Sequence, residues 1–473
     1  MSEKLGLTLA SSRRGIARHG GSVHLLVEAT PPEQRHDATR HPVALALVLD
    51  RSGSMAEPAV QLAVIGVAEP DVETPCKLDY VKAAALRMLE RMPNGDAVAL
   101  ISFDDEVRVE KPLTVLSKSS RTAVAKVVHA IRTGGSTNLA GGLRAGIQQL
   151  QVGTSTYSSK VVLLSDGLAN VGEVRPAVLG EIAAGAAHNA IAISTLGVGP
   201  DYHLGLMSHV AECGNGEFHH VAHLDDLKGI LAGEFLDAAA MTARNVEVTL
   251  RVPDQVAVGS NINRFPQVNI DGGVRIALGD LPRNCEFLIE LTTPIELAGV
   301  SLTVEAIAEG SDANGGLLEA RALLELPVLS AEALAKAVVD ESIVTRATER
   351  IQAKADMDAS LASEAGDTST AKRLVAEARQ SAIRLSDQYG TAVAERAQVG
   401  TTVDYLDALA GRLDAPETSE TLKRRFAMAS MSTRGRGRLI GPCPKCGEKA
   451  FFEADHGGRM VRSCNACGHE ERP

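Results

Sequence analysis

The hydrophobic positions of this chain change period twice along its length. Between about residue 41 and residue 241 they form short unbroken apolar runs separated by amphipathic stretches. Val43 to Leu49 is the first run, and Lys160 to Gly167 (KVVLLSDG) carries another that ends on Asp166. Continuous runs of branched residues are expected of parallel strands buried on both faces. Asp96 to Phe103, Val107 to Leu113, Ala190 to Gly197 and Gly216 to Val221 are read as further strands. Leu78 to Arg91, Arg121 to Arg132, Leu139 to Leu150, Glu173 to Asn189 and Asp225 to Met241 are read as helices. Such alternation predicts a mostly parallel sheet with helices on both faces.

Residues 244–328 switch to short alternating runs with Pro, Gly and Asn between them, the pattern of an antiparallel β-sandwich. Residues 4–10 and 22–29 alternate in the same way. No closed fold fits into residues 1–40 alone, so these two strands are expected to complete the sandwich. Residues 331–413 turn Ala-rich, and three helices are predicted over Ala331 to Ala365, Thr370 to Gln388 and Thr401 to Leu413.

A length of 473 residues calls for more than one core. Aromatic residues make up 3% of the chain and Trp is absent, so Ala, Val and Leu must fill those cores. The net charge of −11 argues against nucleic-acid binding by the whole protein. That charge is uneven. Residues 423–473 carry 11 Lys and Arg against 5 Asp and Glu, a net +6, which leaves −17 on the rest. No run of 18 apolar residues occurs, so no membrane span or membrane partner is expected. Seven cysteines without a disulfide framework fit a reducing compartment, and a cytoplasmic location is expected.

The chemistry concentrates at strand ends. Asp50-Arg51-Ser52-Gly53-Ser54 follows the first buried run and offers a carboxylate and two hydroxyls at a spacing of two. Thr133 to Leu139 (TGGSTNL) is a Gly-rich loop presenting Thr137 ahead of a helix, and Asp166 ends a second strand. Ligands sit at the carboxyl ends of strands in such sheets. Hard oxygen donors of this kind suit Mg²⁺ or Mn²⁺.

These three stretches resemble the von Willebrand factor type A family of bacterial type, and in particular its metal-ion-dependent adhesion site. The family's DxSxS falls on Asp50, Ser52 and Ser54, its Thr on Thr137 and its second Asp on Asp166. The resemblance covers about residues 41–241. It implies a Rossmann-like, doubly wound α/β domain that holds Mg²⁺, Mn²⁺ or Ca²⁺ and binds an Asp or Glu of a partner protein. It departs from most of the family at residues 56–77, an insertion that carries an apolar run between Pro58 and Pro70. A surface hairpin and a lid beside the ion are both open readings of it. Some bacterial relatives with this layout resemble the heavy chains of inter-alpha-trypsin inhibitors.

Cys443-Pro-Lys-Cys446 and Cys464-Asn-Ala-Cys467 are separated by 17 residues, and each pair is followed by Gly. The spacing resembles a zinc ribbon. Four thiolates leave no open coordination position, so the expected Zn²⁺ is structural. The expected organisation is therefore residues 1–40 as sandwich strands and 41–241 as the type A domain. A sandwich (242–329), a helical region (330–414), a basic linker (415–440) and a zinc ribbon (441–473) follow.

Little points to catalysis. There is no Gly-x-Ser-x-Gly elbow, no phosphate loop and no His-Glu-x-x-His. His219, His220 and His223 are read as packed or exposed rather than as a metal site, and Asp104-Asp105 as turn residues. The expectation is a non-enzymatic, metal-dependent protein-binding module or intracellular scaffold. The alternative is an accessory subunit of an AAA+ ATPase machine of chelatase or MoxR type. Nucleic-acid contact through residues 423–438 and the ribbon ranks below a solvated tether, because no aromatic residues interleave the basic ones.

Overall fold

The computed structural model describes residues 4–33, 41–58, 75–151, 157–263, 265–294, 301–312 and 315–413. It also describes residues 418–433, 437–441, 444–445, 451–455, 460–464 and 470–471. The chain divides into two compact units. One comprises the described residues up to 33 and from 242 onward, the other the described residues between 41 and 241.

The first unit begins with β1 (Gly6–Ser11), β2 (Ile16–Ala17) and β3 (Gly21–Thr30). The chain then builds the second unit. Its strands are β4 (Val43–Asp50), β5 (Ala97–Phe103), β6 (Val107–Val115), β7 (Ser158–Ser165), β8 (Ile191–Val198) and β9 (Asn215–Val221). Its helices are α1 (Lys77–Arg91), α2 (Lys118–Ala130), α3 (Leu139–Leu150), α4 (Pro176–His188), α5 (Leu204–Cys213) and α6 (Leu227–Ala239). The sheet runs β6-β5-β4-β7-β8-β9, parallel throughout except for the β5–β6 hairpin. All eight residues of β4 are buried, as a central parallel strand requires. Leu45, Leu47 and Leu49 share one core with Val81 and Met88 of α1 and Ile230 of α6. On the opposite face α3 lies close, because a Cβ on Gly142 would stand 2.7 Å from Phe103 and one on Gly146 2.5 Å from Val48. Helix α5, which has no counterpart in the sequence reading, is short, and its apolar run Leu204–Met207 gives no clear period.

The chain then returns to the first unit with β10 (Ala243–Arg251), β11 (Ala257–Asn261), β12 (Gln267–Ile270), β13 (Gly273–Leu281), β14 (Cys285–Thr293), β15 (Ser301–Ser311) and β16 (Leu317–Leu329). Two sheets form, in the orders β1-β3-β14-β11 and β12-β13-β10-β15-β16-β2. Strand β3 pairs antiparallel with β14 from Gly21↔Thr293 to Ala29↔Cys285. Alternate residues Val23, Leu25, Val27 and Ala29 enter the core with Phe287, Ile289, Val248 and Val304.

Helices α7 (Ala331–Ala335), α8 (Glu341–Glu364), α9 (Thr368–Tyr389), α10 (Thr391–Arg396), α11 (Val399–Arg412) and α12 (Ser419–Thr433) follow. The single helix expected over Ala331 to Ala365 is two helices. Asp340 caps the second by accepting the Ser342 and Ile343 N–H groups, which fixes where it starts. Ile343, Val344, Ala382 and Leu385 pack on Leu288 of β14 and cover that sheet.

The expected basic linker over 415–440 is corrected by α12. Phe426 is 1% exposed and Arg425 is fully buried, with its Nε donating to Ser360 Oγ at 3.0 Å and lying 3.8 Å from Asp356 Oδ1. Lys423 and Arg425 are thus buried residues of a helix packed on α8. Strands β17 (Gly437–Gly441), β18 (Phe451–Asp455), β19 (Met460–Cys464) and β20 (Glu470–Glu471) close the chain as an antiparallel sheet. Cys464 ends β19. Cys443, Cys446 and Cys467 lie outside the described residues, as does most of the 56–77 insertion.

Candidate functional site

Asp50 is the last residue of β4 and is fully buried at the carboxyl edge of the sheet. Its Oδ1 accepts the Ser52 N–H at 2.8 Å and its Oδ2 accepts the Ser165 hydroxyl. Burial pushes its carboxyl up to about 6; the Ser165 and Ser52 hydrogen bonds oppose the rise, and the nearby Asp166 adds to it. Ser52 opens a 3-10 turn over Gly53–Ala56. That turn sets Ser52 Oγ 3.1 Å from Ser54 Oγ, and Ser54 donates to Asp166 Oδ1 at 2.6 Å.

Thr137 is 4% exposed and enters from the loop before α3. Its N–H donates to Asn170 Oδ1 at 2.9 Å, and its carbonyl accepts the N–H groups of Asn170 and Val171. A Cβ on Gly167 would lie 3.5 Å from both Ser54 Oγ and Thr137 Oγ1, so these hydroxyls border one gap. The structure therefore brings Asp50, Ser52, Ser54, Thr137 and Asp166 together. The donor set is two carboxylates and three hydroxyls. Hard oxygen donors of this number and kind suit a divalent ion, so such an ion fits the chemistry of the site.

Arg51 and Asp104, given no site role in the sequence analysis, hold the loops. Arg51 Nη2 pairs with Asp104 Oδ1 at 2.7 Å, and both side chains are buried. Asp104 also accepts the Gly135 N–H at 3.1 Å, while Asp105 accepts the Ser136 N–H at 3.3 Å. These acids are buckles for the Thr137 loop, beyond their expected role as turn residues. A Cβ on Gly134 would stand 1.9 Å from Asp104 Oδ2, which is why the loop needs its Gly-Gly pair. That pair was the available signal. Lys77, the first residue of α1, places its Nζ 2.8 Å from Asp166 Oδ2 and 2.7 Å from Glu57 Oε2.

The histidine group is a structural network. His219 Nε2 lies 2.5 Å from Glu234 Oε1, and Lys160 Nζ lies 2.5 Å from Glu234 Oε2. Burial favours the neutral acid, yet Lys160 and His219 hold the Glu234 carboxyl well below its ordinary value. Glu217, His219 and Glu234 could together offer three ligand atoms, but the Lys160 ammonium already occupies Glu234. His220 Nδ1 is 2.8 Å from the Tyr202 hydroxyl.

Residues 45–168 match the family model of the von Willebrand factor type A domain. The chain carries a von Willebrand factor type A domain. An uncharacterised protein of Synechocystis is 28% identical over 189 residues, which is 39% of this chain and 39% of that protein. Human inter-alpha-trypsin inhibitor heavy chain H3 is 27% identical over 247 residues, 51% of this chain and 25% of that protein. The matches thus span well under half the length of these relatives. Among solved structures, a von Willebrand factor type A protein from Catenulispora acidiphila superposes with a TM-score of 0.61 at 16% identity. That superposition covers 85% of this chain and 89% of the other, and it shows a shared fold. Type A domains commonly mediate protein–protein interaction, and many bind a divalent ion. Among the described residues no helix is long and apolar enough to cross a membrane.

Proposed function

We propose that the type A domain binds a protein partner through a divalent ion held by Asp50, Ser52, Ser54, Thr137 and Asp166, and that the chain is a binding module rather than an enzyme. The convergence of five hard oxygen donors at the carboxyl edge of a parallel sheet carries this reading. Such a set suits Mg²⁺, with Mn²⁺ and Ca²⁺ as alternatives. Three of the five donors are neutral, so the ion keeps positive charge to spend on an incoming acidic side chain, Asp or Glu, of the partner. Leu168 and Val174, in the loop that follows Asp166, are 57% and 42% exposed. Apolar side chains at that height suit a protein surface. A scaffold role inside the cell belongs to the same proposal. An accessory role beside an AAA+ ATPase has no structural observation behind it. Nucleic-acid binding through 423–438 is disfavoured, since Lys423 is 2% exposed and Arg425 fully buried.

The test is capture of binding proteins on the immobilised full chain with Mg²⁺, with chelator, and with Asp50→Ala. A partner retained with Mg²⁺, released by chelator and absent from Asp50→Ala is expected. The same partner recovered equally in all three would overturn the reading.

A further inference from the structure

The acceptor oxygens of the two site carboxylates already have protein donors. Asp50 takes the Ser52 N–H and the Ser165 hydroxyl, and Asp166 Oδ1 takes the Ser54 hydroxyl. These three donors are neutral. The fourth, on Asp166 Oδ2, is the ammonium of Lys77 at 2.8 Å. Its side chain is 12% exposed and Asp166 is fully buried, so the pair is poorly screened by solvent.

Lys77 is held there by the neck of the insertion. Its N–H donates to the Glu57 carbonyl at 3.1 Å, and Pro58 and Cys76 form an antiparallel bridge. Its ammonium also reaches Glu57 Oε2 at 2.7 Å, and Glu57 is 59% exposed. The lysine therefore has two anionic partners, one inside the site and one at its rim. An ion held by Asp166, directly or through a water, would stand within a few ångströms of that ammonium. Like charges at such range in a buried pocket oppose one another strongly.

We infer that Lys77 is the resident cation of the site: it neutralises Asp166 when no divalent ion is bound, and the ion enters by exchanging with it, leaving Lys77 with Glu57. This inference rests on the ion-binding reading above. It makes Lys77 an affinity-setting residue of the site. The five oxygens alone would bind an ion more tightly than the intact site does. It also links ion exchange to the Glu57–Lys77 neck.

The experiment is calorimetric titration of Mn²⁺ into the full chain, with Asp50→Ala as the blank for ions bound elsewhere. Lys77→Met should tighten Mn²⁺ binding by about tenfold or more, and Lys77→Arg should leave it near the starting value. Lys77→Gln is a second neutral variant should the methionine variant fail to fold. Without ion, the neutral variants should melt below the wild type, and Mn²⁺ should raise their melting temperature by a larger step. Equal or weaker Mn²⁺ binding in the neutral variants would overturn the inference while leaving the ion site standing. Site-specific binding absent from every protein would overturn the ion-binding reading itself, and this inference with it.

Discussion

At the scale of single residues, Thr137 is aimed by its backbone. Thr137 is fixed through its N–H and its carbonyl to Asn170 and Val171, so its hydroxyl is free for other work. Thr137→Ala should therefore weaken Mg²⁺-dependent binding on the order of tenfold while leaving the melting temperature nearly unchanged. Calorimetry and a thermal melt on the same sample would check both halves. Glu234 gives a pH prediction of known sign. Its folded carboxyl lies below the ordinary 4.5, so its contribution to stability is fully present above that value and lost as pH falls below it. The melting temperature of the wild type should fall on acidification below about 4.5, because the unfolded state takes up the proton first. A Glu234→Gln/Lys160→Met double variant, which removes both buried charges together, should show a shallower fall over the same range. An unchanged slope would show that other acids govern it.

Among the elements, β3 and α12 show how distant segments decide local structure. Strand β3 lies between β1 and β14, so its removal takes away the middle of a four-stranded sheet. A chain lacking residues 1–33 should expose the edge of β14 and associate, visible as a shift to high mass in size-exclusion chromatography. A monomer of unchanged stability would contradict that. Helix α12 reads as solvated charge in the sequence because Lys423-Arg424-Arg425 dominates it. Its apolar residues Leu422, Phe426 and Ala429 recur at helical spacing, and that weak signal is what the fold used. The buried Arg425 is tolerated because Ser360 and Asp356 meet it.

Over the whole molecule, the type A domain is written into the middle of the unit that contains the sandwich. Residues before it pair with residues after it, as β3 does with β14. Cys443, Cys446, Cys464 and Cys467 are proposed to hold one Zn²⁺. A Cys443→Ser/Cys446→Ser double variant should lose that zinc in elemental analysis and keep the main melting transition, since a fold this small draws its folding energy from the metal. Zinc retained at full stoichiometry would exclude these ligands.

The sequence by itself determined the parts that are local or periodic. The apolar run Val43 to Leu49 dictated a buried strand, Asp50, Ser52 and Ser54 came at a fixed spacing, and Gly134-Gly135 marked a tight loop ahead of Thr137. These choices depend on near neighbours, whose chemistry leaves a trace in the order of residues. The tertiary structure alone decided what meets across long separations. Lys77 on Asp166, Arg51 on Asp104, Lys160 on Glu234 and Arg425 on Asp356 are each a pairing of charges from different elements. A charged residue reads as solvated in sequence because water is its cheapest partner. Only the packing of helices and strands removes that water and makes a specific counter-charge the better one.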